Sequence, residues 1–174
     1  MTDGKTPAKH AVSVKILDEN DNVSLFTCGV KEIDEFIHTE ALDFQRESLG
    51  VTYLFLQHKE ILGFATLSMA DLKRERMEAK DRPEAAIENY PSLLMGQLAV
   101  CKKLQNQDLG TYICDFCVDR AMKFSKRVGC RFVFVSAIKP IGFYRKYGFI
   151  LLPKQEGRHQ KVMFLDILRT AKAQ

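Results

Sequence analysis

The chain passes from a predicted strand into a predicted helix in the stretch Leu98-Ala99-Val100-Cys101-Lys102-Lys103-Leu104-Gln105-Asn106-Gln107-Asp108-Leu109-Gly110-Thr111-Tyr112. The stretch opens with apolar residues, continues through a short polar loop with two lysines, and enters a helix at Leu109 or Gly110. A strand, a loop and a helix N-terminus in this order expose several unpaired backbone N–H groups, with the positive end of the helix dipole behind them. Such groups bind phosphate. Many α/β connections share this pattern, so a second motif is needed to interpret the loop.

The second motif is Gly142-Phe143-Tyr144-Arg145-Lys146-Tyr147-Gly148-Phe149, on a helix predicted to start at Lys139. It follows a predicted buried strand, Phe132-Val133-Phe134-Val135. Together with the loop Gln105-Asn106-Gln107-Asp108-Leu109-Gly110, it resembles the GNAT family of acetyl-CoA-dependent N-acetyltransferases. That family has a Leu-x-Val strand, then a Gln/Arg-x-x-Gly-x-Gly/Ala pyrophosphate loop, and later a helix ending in Phe-Tyr-x-x-x-Gly-Phe. Both motifs stand in the order and at the spacing of the family.

The resemblance implies a GNAT fold of the α/β (α+β) class. Its sheet is single, mixed and mostly antiparallel, with roughly six or seven strands splayed in the middle and helices on both faces. The 174 residues are most simply one domain, 1–174, with residues 1–10 as a flexible terminus. Strands are predicted where apolar residues alternate or cluster. They are 12–17, 51–56, 61–68, 93–100, 132–135, 149–152 and 162–165.

Three further helices are predicted from apolar periodicity and charge. The first covers 30–45 and is ended by Gly50. The second is a solvated helix in the charge-dense segment from Asp71, stopping before Pro83. The third starts in the quoted stretch, carries an apolar stripe that includes Phe116, and is capped by Gly129.

The resemblance also implies the roles of individual residues. The strand end Leu98, Ala99 and Val100 pairs with the pantetheine arm, and the backbone N–H near Leu98 points at the acetyl oxygen. Lys102 or Lys103 adds positive charge, and the pyrophosphate-binding residues are Gln105, Asn106, Gln107, Asp108, Leu109, Gly110 and Thr111.

Tyr144 lies beside the sulfur in this interpretation and acts as the general acid. A phenol with a pKa of about 10 matches the departing thiolate and is neutral at pH 7. The alternative is that the Tyr144 ring belongs to the core and its hydroxyl binds a backbone carbonyl. The neighbouring Phe143, Tyr147 and Phe149 are predicted to be core residues, and no general base stands out.

Two positions depart from the family pattern: Asp108 stands where the pyrophosphate loop has glycine, and Gln107 where many members have arginine. The Asp108 carboxylate could cap the helix by accepting from the N–H groups of Gly110 or Thr111. It would then compete for donors that the pyrophosphate needs. Alternatively it turns outward and Lys102 or Lys103 offsets it. Weakened cofactor binding is therefore a hypothesis that this position raises.

Composition narrows the class of protein. The chain is 46% hydrophobic and 28% charged, as is typical of a soluble globular protein, and it lacks both a membrane-length apolar run and a secretory signal. Five cysteines without a framework fit a reducing, cytoplasmic compartment. Cys114 and Cys117 are interpreted as small apolar residues of one helix, and four scattered histidines argue against a metal site.

The net charge of +4 is unevenly distributed. Residues 121–174 hold 12 Lys and Arg against 2 Asp and Glu, whereas the first 120 residues hold 14 against 20. This polarity favours a surface that faces an anion, such as the CoA phosphates, nucleic acid or an acidic partner, or it is a solvated basic face.

The N-terminal third narrows the resemblance to one branch. Phe26-x-Cys28-Gly29, an acidic helix with Asp34 and Phe36, and Arg46-x-x-x-Gly50-Val51-Thr52 resemble the toxins of toxin–antitoxin pairs, which acetylate the amine of aminoacyl-tRNA. The segment Leu94-Met95-Gly96-Gln97-Leu98-Ala99-Val100 also fits this branch. The resemblance implies acetyl-CoA as cofactor, aminoacyl-tRNA as acceptor and an antitoxin as partner. The alternatives are a small or protein amine as acceptor, or a non-catalytic CoA-binding module. The sequence leaves open whether the chain forms a homodimer.

Overall fold

A computed structural model describes residues 12–137, 141–153, 155 and 160–171. Seven strands and five α-helices are present in these residues. The strands are β1 (Ser13–Ile16), β2 (Val51–Gln57), β3 (Glu60–Lys73), β4 (Asn89–Val100), β5 (Phe132–Ala137), β6 (Ile150–Leu151) and β7 (Lys161–Asp166). The helices are α1 (Lys31–Glu35), α2 (Ala41–Arg46), α3 (Leu109–Ser125), α4 (Ile141–Tyr147) and α5 (Ile167–Ala171).

The strands form one mixed sheet in the order β1-β2-β3-β4-β5-β7-β6. β2 is antiparallel to β1 and β3, and β7 is antiparallel to β5 and β6, whereas β4 and β5 run parallel. The β4–β5 ladder covers only Ser92–Met95, although β4 continues to Val100. The two strands thus part in the middle of the sheet. The GNAT fold that the resemblance implied is confirmed.

The chain divides into two compact units. The first comprises the described residues up to Ser68 together with Gln97–Phe116, and the second comprises Met69–Gly96 and the described residues from Cys117 onward. Each has its own buried cluster. In the first, Phe26 packs edge-to-face on Phe64; in the second, the Phe132 ring contacts Tyr90 and Phe164, both at 5.6 Å between centroids. The single-domain boundary stays a prediction.

The solvated helix predicted from Asp71 is wrong. β3 continues to Lys73, and two short 3₁₀ turns follow, Arg74–Arg76 and Ala79–Asp81. The reason is the position of the buried residues. Leu72 is 1% exposed between two exposed charged neighbours, which is the alternation of a strand. The density of charge concealed this period-two pattern.

The expectation that Gly50 ends the first helix is also wrong. The helical segment runs from α1 through a π turn, Phe36–Glu40, into α2, which ends at Arg46; the left-handed residue that follows it is Ser48, with φ +59°. Gly50 instead makes room for packing. A Cβ built there would lie 2.8 Å from a Phe44 ring carbon and 3.2 Å from the Leu67 carbonyl oxygen.

The remaining predicted strands, and the helix from Leu109, are confirmed to within a few residues at each end. α3 ends at Ser125, and Gly129 follows its last turn with φ +84°. Cys114 and Cys117 are buried on α3 and are not part of a disulfide bond within the described residues, and burial raises the pKa of Cys117 to about 12. Residues 1–10, the predicted flexible terminus, and Lys139, the predicted start of a helix, lie outside the described residues; the described helix there is α4.

Candidate functional site

The loop between β4 and α3 has the backbone of a phosphate loop. After the 3₁₀ turn Lys102–Leu104, Asn106 and Asp108 adopt left-handed conformations, with φ +63° and +60°, and α3 begins at Leu109. Two left-handed residues this close together turn the chain sharply, as in the concave anion sites made by successive backbone amides. A positive φ at position 108 explains why the family pattern has glycine there, and aspartate is among the few other residues that tolerate it.

Four backbone amides at the start of α3 are available to a ligand. The first helical hydrogen bond runs from the Tyr112 N–H to the Asp108 carbonyl oxygen, at 3.1 Å. The amides of 108–111 precede it and have no acceptor in the described part of the chain. α3 has 17 residues, so the positive end of a long helix dipole lies at the same place.

The Asp108 carboxylate does not use these amides. Its side chain is exposed, and within the described residues it accepts no hydrogen bond and pairs with neither Lys102 nor Lys103. Its positive φ differs from the extended conformation of a residue that caps a helix. The carboxylate is therefore an exposed negative charge of the loop that has no partner among the described residues.

The two glutamines of the loop have different surroundings. The Gln105 side-chain amide donates to the carbonyl oxygens of Cys28, at 2.7 Å, and Val100, at 3.1 Å, so this side chain holds the loop to the chain around it. The Gln107 amide donates to the Lys103 carbonyl at 3.4 Å, while its own oxygen is buried without a donor among the described residues. A ligand would therefore meet the main chain of Gln105 rather than its side chain.

The loop between β4 and α3 is also held in place by contacts with a turn at residues 27–29. The Lys102 N–H donates to the Thr27 carbonyl oxygen at 2.9 Å, and the Lys102 side chain packs over Gly29. Asp34 of α1 organises the turn, because its carboxylate accepts from the Thr27 hydroxyl at 2.6 Å and the Cys28 N–H at 2.8 Å. Burial raises the pKa of Asp34, but these hydrogen bonds outweigh burial and hold it below its ordinary value. The sequence contained Asp34 as a motif residue without a role.

Gly63 of β3 is a site residue that the sequence analysis missed. A Cβ built at Gly63 would lie 2.6 Å from the Ala99 carbonyl oxygen and 2.8 Å from the Ile113 side chain. Only glycine allows β3 to approach the end of β4 and the first turns of α3 so closely. The only signal in the sequence was a glycine inside an apolar strand pattern.

Tyr144 lies in the second unit, on α4, and is 6% exposed. Its ring makes edge contacts with Phe143, at 5.1 Å, and Phe149, at 5.5 Å. Its carbonyl oxygen accepts from the Gly148 and Phe149 amides, and Gly148 has φ +118°, which a side chain would disfavour. These contacts explain the aromatic and glycine positions of the motif. Both interpretations of Tyr144, general acid and core ring, are consistent with them.

The described residues contain neither a cluster of metal ligands nor a membrane-spanning helix. Nowhere among them do three His, Cys, Asp or Glu side chains gather closely enough to bind a metal ion. No helix among them has the length and apolar character to cross a membrane.

Known proteins are similar over most of the chain. A tRNA-acetylating toxin of Mycobacterium tuberculosis is 21% identical over 139 residues, which cover 79% of this chain and 83% of the toxin. A structure of AtaT complexed with acetyl-methionyl-tRNAfMet matches with a TM-score of 0.79 and 23% identity, covering 93% of this chain and 98% of AtaT.

A second structure, of a mutant AtaT toxin bound to the C-terminus of the antitoxin AtaR and acetyl-CoA, matches with a TM-score of 0.74 and 22% identity over 94% of this chain and 98% of that one. The model of the acetyltransferase (GNAT) family matches residues 17–149. Since this match spans most of the chain and contains both motifs, the protein belongs to the GNAT family of acetyltransferases.

Proposed function

We propose that this chain moves an acetyl group from acetyl-CoA to the primary amine of an aminoacyl-tRNA, and that it does so in the cytoplasm. The observation that carries the proposal is the main chain of the β4–α3 loop, with its two left-handed residues and four unpaired amides. The choice of acceptor is supported by similarity to a protein named as a tRNA-acetylating toxin and to AtaT, which has been seen complexed with acetyl-methionyl-tRNAfMet.

The residues of the loop fit the diphosphate of coenzyme A. The amides of 108–111 are donors without acceptors, and they precede a helix of 17 residues. Lys102 and Lys103 are exposed on the same loop and add positive charge. Leu98, Ala99 and Val100 lie where β4 has left β5, so this strand end has main-chain groups for the pantetheine amides. Bound acetyl-CoA supplies the acetyl group as a thioester.

Two groups of the chain assist direct attack by the amine in this proposal. The backbone N–H near Leu98 stabilises the negative charge that develops on the acetyl oxygen. The Tyr144 hydroxyl donates its proton to the departing sulfur, which a neutral phenol can do at pH 7. The α-amine of an aminoacyl ester has an unusually low pKa, so it is already neutral in large part and needs little help from a base.

The proposal is tested by incubating the purified chain with acetyl-CoA and aminoacyl-tRNA and measuring acetylated product. Tyr144→Phe is expected to lower kcat by about a hundredfold or more while the Kd for acetyl-CoA stays the same, because general acid catalysis contributes roughly 10²–10⁴. Tyr147→Phe is the matched control, since it removes a hydroxyl from the same helix and is expected to retain activity. Equal activity of the two variants would refute the role of Tyr144.

The same assays distinguish the proposed function from two alternatives. An enzyme for a small or protein amine would acetylate a polyamine or peptide, would spare aminoacyl-tRNA, and would be harmless on expression. The toxin-like function predicts growth arrest that Tyr144→Phe relieves. A non-catalytic module would bind acetyl-CoA, seen as a rise in Tm, without turnover with any acceptor.

An antitoxin partner is part of the proposal, because AtaT has been seen bound to the antitoxin AtaR. A small DNA-binding protein encoded next to this chain, and relief of growth arrest when the two are co-expressed, would support it.

A further inference from the structure

A pocket of about 450 Å³ lies in the segment that connects β3 to β4. It belongs entirely to the second unit and contains none of the residues assigned above to acetyl-CoA or catalysis. Its charged lining consists of Lys73, Arg74, Arg82, Glu75 and Glu88, and Ile87 is an apolar wall that is 46% exposed. The volume is in the range of pockets that hold small ligands.

The two arginines of this pocket form no ion pair within the described residues. Arg82 uses its Nε to donate to the Met77 carbonyl oxygen at 3.1 Å, and the Arg74 Nε is buried without an acceptor in the described residues. Neither guanidinium pairs with a carboxylate in that part of the chain. The terminal nitrogens of the two guanidinium groups make no hydrogen bond within the described residues, and they are the donors that a bound acceptor would meet.

Two other arginines of the same unit show the contrast. Arg131 forms a bidentate ion pair with Asp166, with hydrogen bonds of 3.0 and 2.8 Å. Arg169 donates to the Asp81 carboxylate at 3.3 Å. These pairs fasten the C-terminal segment to the rest of the unit. Glu75 and Glu88, in turn, are exposed and make no ion pair with the pocket arginines. Within the described residues, the pocket therefore presents two guanidinium groups and two carboxylates, none of which forms an ion pair.

We propose that this pocket binds one ribonucleotide unit of the RNA substrate. Arg74 and Arg82 donate to the phosphodiester oxygens, which planar guanidinium groups match well. Glu75 or Glu88 accepts from the ribose 2′-hydroxyl, the group that distinguishes RNA from DNA. A phosphate alone would leave the carboxylates repelling it, whereas a ribonucleotide uses both signs of charge. The inference rests on the proposed function, because it assigns the pocket to the RNA part of the acceptor.

The test measures binding without catalysis, by fluorescence anisotropy of labelled, uncharged tRNA in the absence of acetyl-CoA. Arg74→Gln is expected to raise the Kd several-fold and to lessen the slope of log K against log salt by about 0.7, as for one lost phosphate contact on a single strand. Lys126→Gln is the matched control, because it removes the same charge from an exposed turn. Glu88→Gln, whose backbone contact to Arg74 is retained, is expected to narrow the preference for RNA over DNA of the same sequence.

Three outcomes would overturn the inference. The first is that Arg74→Gln and Lys126→Gln change the Kd equally. The second is that wild type binds RNA and DNA alike and Glu88→Gln changes neither. The third is that AMP or inorganic phosphate binds at Arg74 while the Kd for tRNA is unchanged by Arg74→Gln, which would assign the pocket to a free ligand. Acetylation of aminoacyl-tRNA is assayed separately. If tRNA binding does not depend on Arg74 but acetylation is observed, the pocket inference is refuted and the proposed function stands. If tRNA binding depends on Arg74 but no acetylation is observed, the proposed function is refuted and the pocket inference stands.

Discussion

The molecule offers an anion two different surfaces: the loop between β4 and α3, and the pocket between β3 and β4. The loop presents main-chain amides, and its acidic residue, Asp108, is exposed with no ion pair in the described part of the chain. The pocket presents guanidinium groups of two arginines, one of them with a buried donor that has no described acceptor. An amide site depends on backbone geometry, whereas a guanidinium site depends on side-chain identity. Substitutions should therefore act on the two surfaces through different physical terms.

The two surfaces also differ in how they are held. The loop is fastened by contacts that reach far along the chain, from Gln105 to Cys28 and from Lys102 to Thr27. The contacts found in the pocket segment are mostly local, between residues of the two 3₁₀ turns and the strand ends that flank them. Because precise amide placement needs distant support, residues remote from any ligand should affect the loop strongly.

Gly63→Ala should have the largest effect. The added methyl would lie within 3 Å of both the Ala99 carbonyl oxygen and Ile113, and the carbonyl belongs to the backbone and cannot rotate away. Overpacking of this kind costs about 1–3 kcal/mol. We expect a lower Tm and, in the protein that remains folded, a Kd for acetyl-CoA raised by tenfold or more, measured by calorimetry, with Kd for uncharged tRNA nearly unchanged.

Gly142→Ala is the control for stability. A Cβ at this position meets nothing within 4 Å, and alanine is the better helix former, so unfolding should be unaffected or shift upward. If Gly63→Ala were as stable as wild type and bound acetyl-CoA equally well, the main-chain account of the loop would be wrong.

Asp34→Asn should have an intermediate effect. The amide can accept from only one side and leaves the Thr27 hydroxyl or the Cys28 N–H without its carboxylate, which costs about 1–2 kcal/mol of unfolding free energy. Urea unfolding at pH 7 measures this loss. Glu35→Gln, one residue further along α1, is the matched control, because its carboxylate is exposed and its ion pair with Lys31 is long, at 3.5 Å.

The pH dependence follows from the sign of the shift. The folded-state pKa of Asp34 is below the ordinary value of 3.8, so the carboxylate stabilises the fold fully above that value and loses its contribution as the pH falls through the lowered pKa. The stability gap between wild type and Asp34→Asn should therefore be constant from pH 5 to 7 and close as the pH drops below 3.8. A gap that widened on acidification would contradict this account.

The contrast between local and distant contacts explains which features the sequence could predict. The strand, loop and helix around Asn106 and the helix that carries Tyr144 follow from local patterns: apolar alternation, a polar loop and an aromatic motif with glycine. Such patterns are encoded within one window of sequence. The fold class and most of the strands were therefore within reach.

What the sequence could not predict depends on distant partners. Nothing local indicates that Gly63 faces the Ala99 carbonyl or that Asp34 binds the 27–29 turn. The helix prediction for the segment from Asp71 was wrong for a related reason. The burial of one residue, Leu72, determines the strand there, although most of its neighbours are charged. Tertiary burial overrides local composition in such segments. The left-handed φ of Asp108 likewise became visible only in the backbone.

Asp108→Gly should have the smallest effect, on the Kd for acetyl-CoA. It also helps to distinguish the effect of the Asp108 charge from that of its left-handed backbone. The carboxylate is unpaired beside amides that would bind a diphosphate, and a like charge at about 4 Å costs roughly 1–4 kcal/mol between the dielectric of water and that of a protein surface. Because the side chain is exposed, we expect the lower limit of about 1 kcal/mol, which is about a fivefold lower Kd for acetyl-CoA at low salt, shrinking as salt screens the charge.

Asp108→Asn completes this experiment, because asparagine tolerates φ +60° as aspartate does but has no charge. If charge alone matters, both variants tighten acetyl-CoA equally and the gain disappears at high salt. If relief of the left-handed backbone matters, glycine gains and asparagine does not, and the gain persists at high salt. Unchanged affinity in both would mean that the carboxylate lies too far from the diphosphate to oppose it, and that the affinity of the loop for acetyl-CoA depends on its main chain alone.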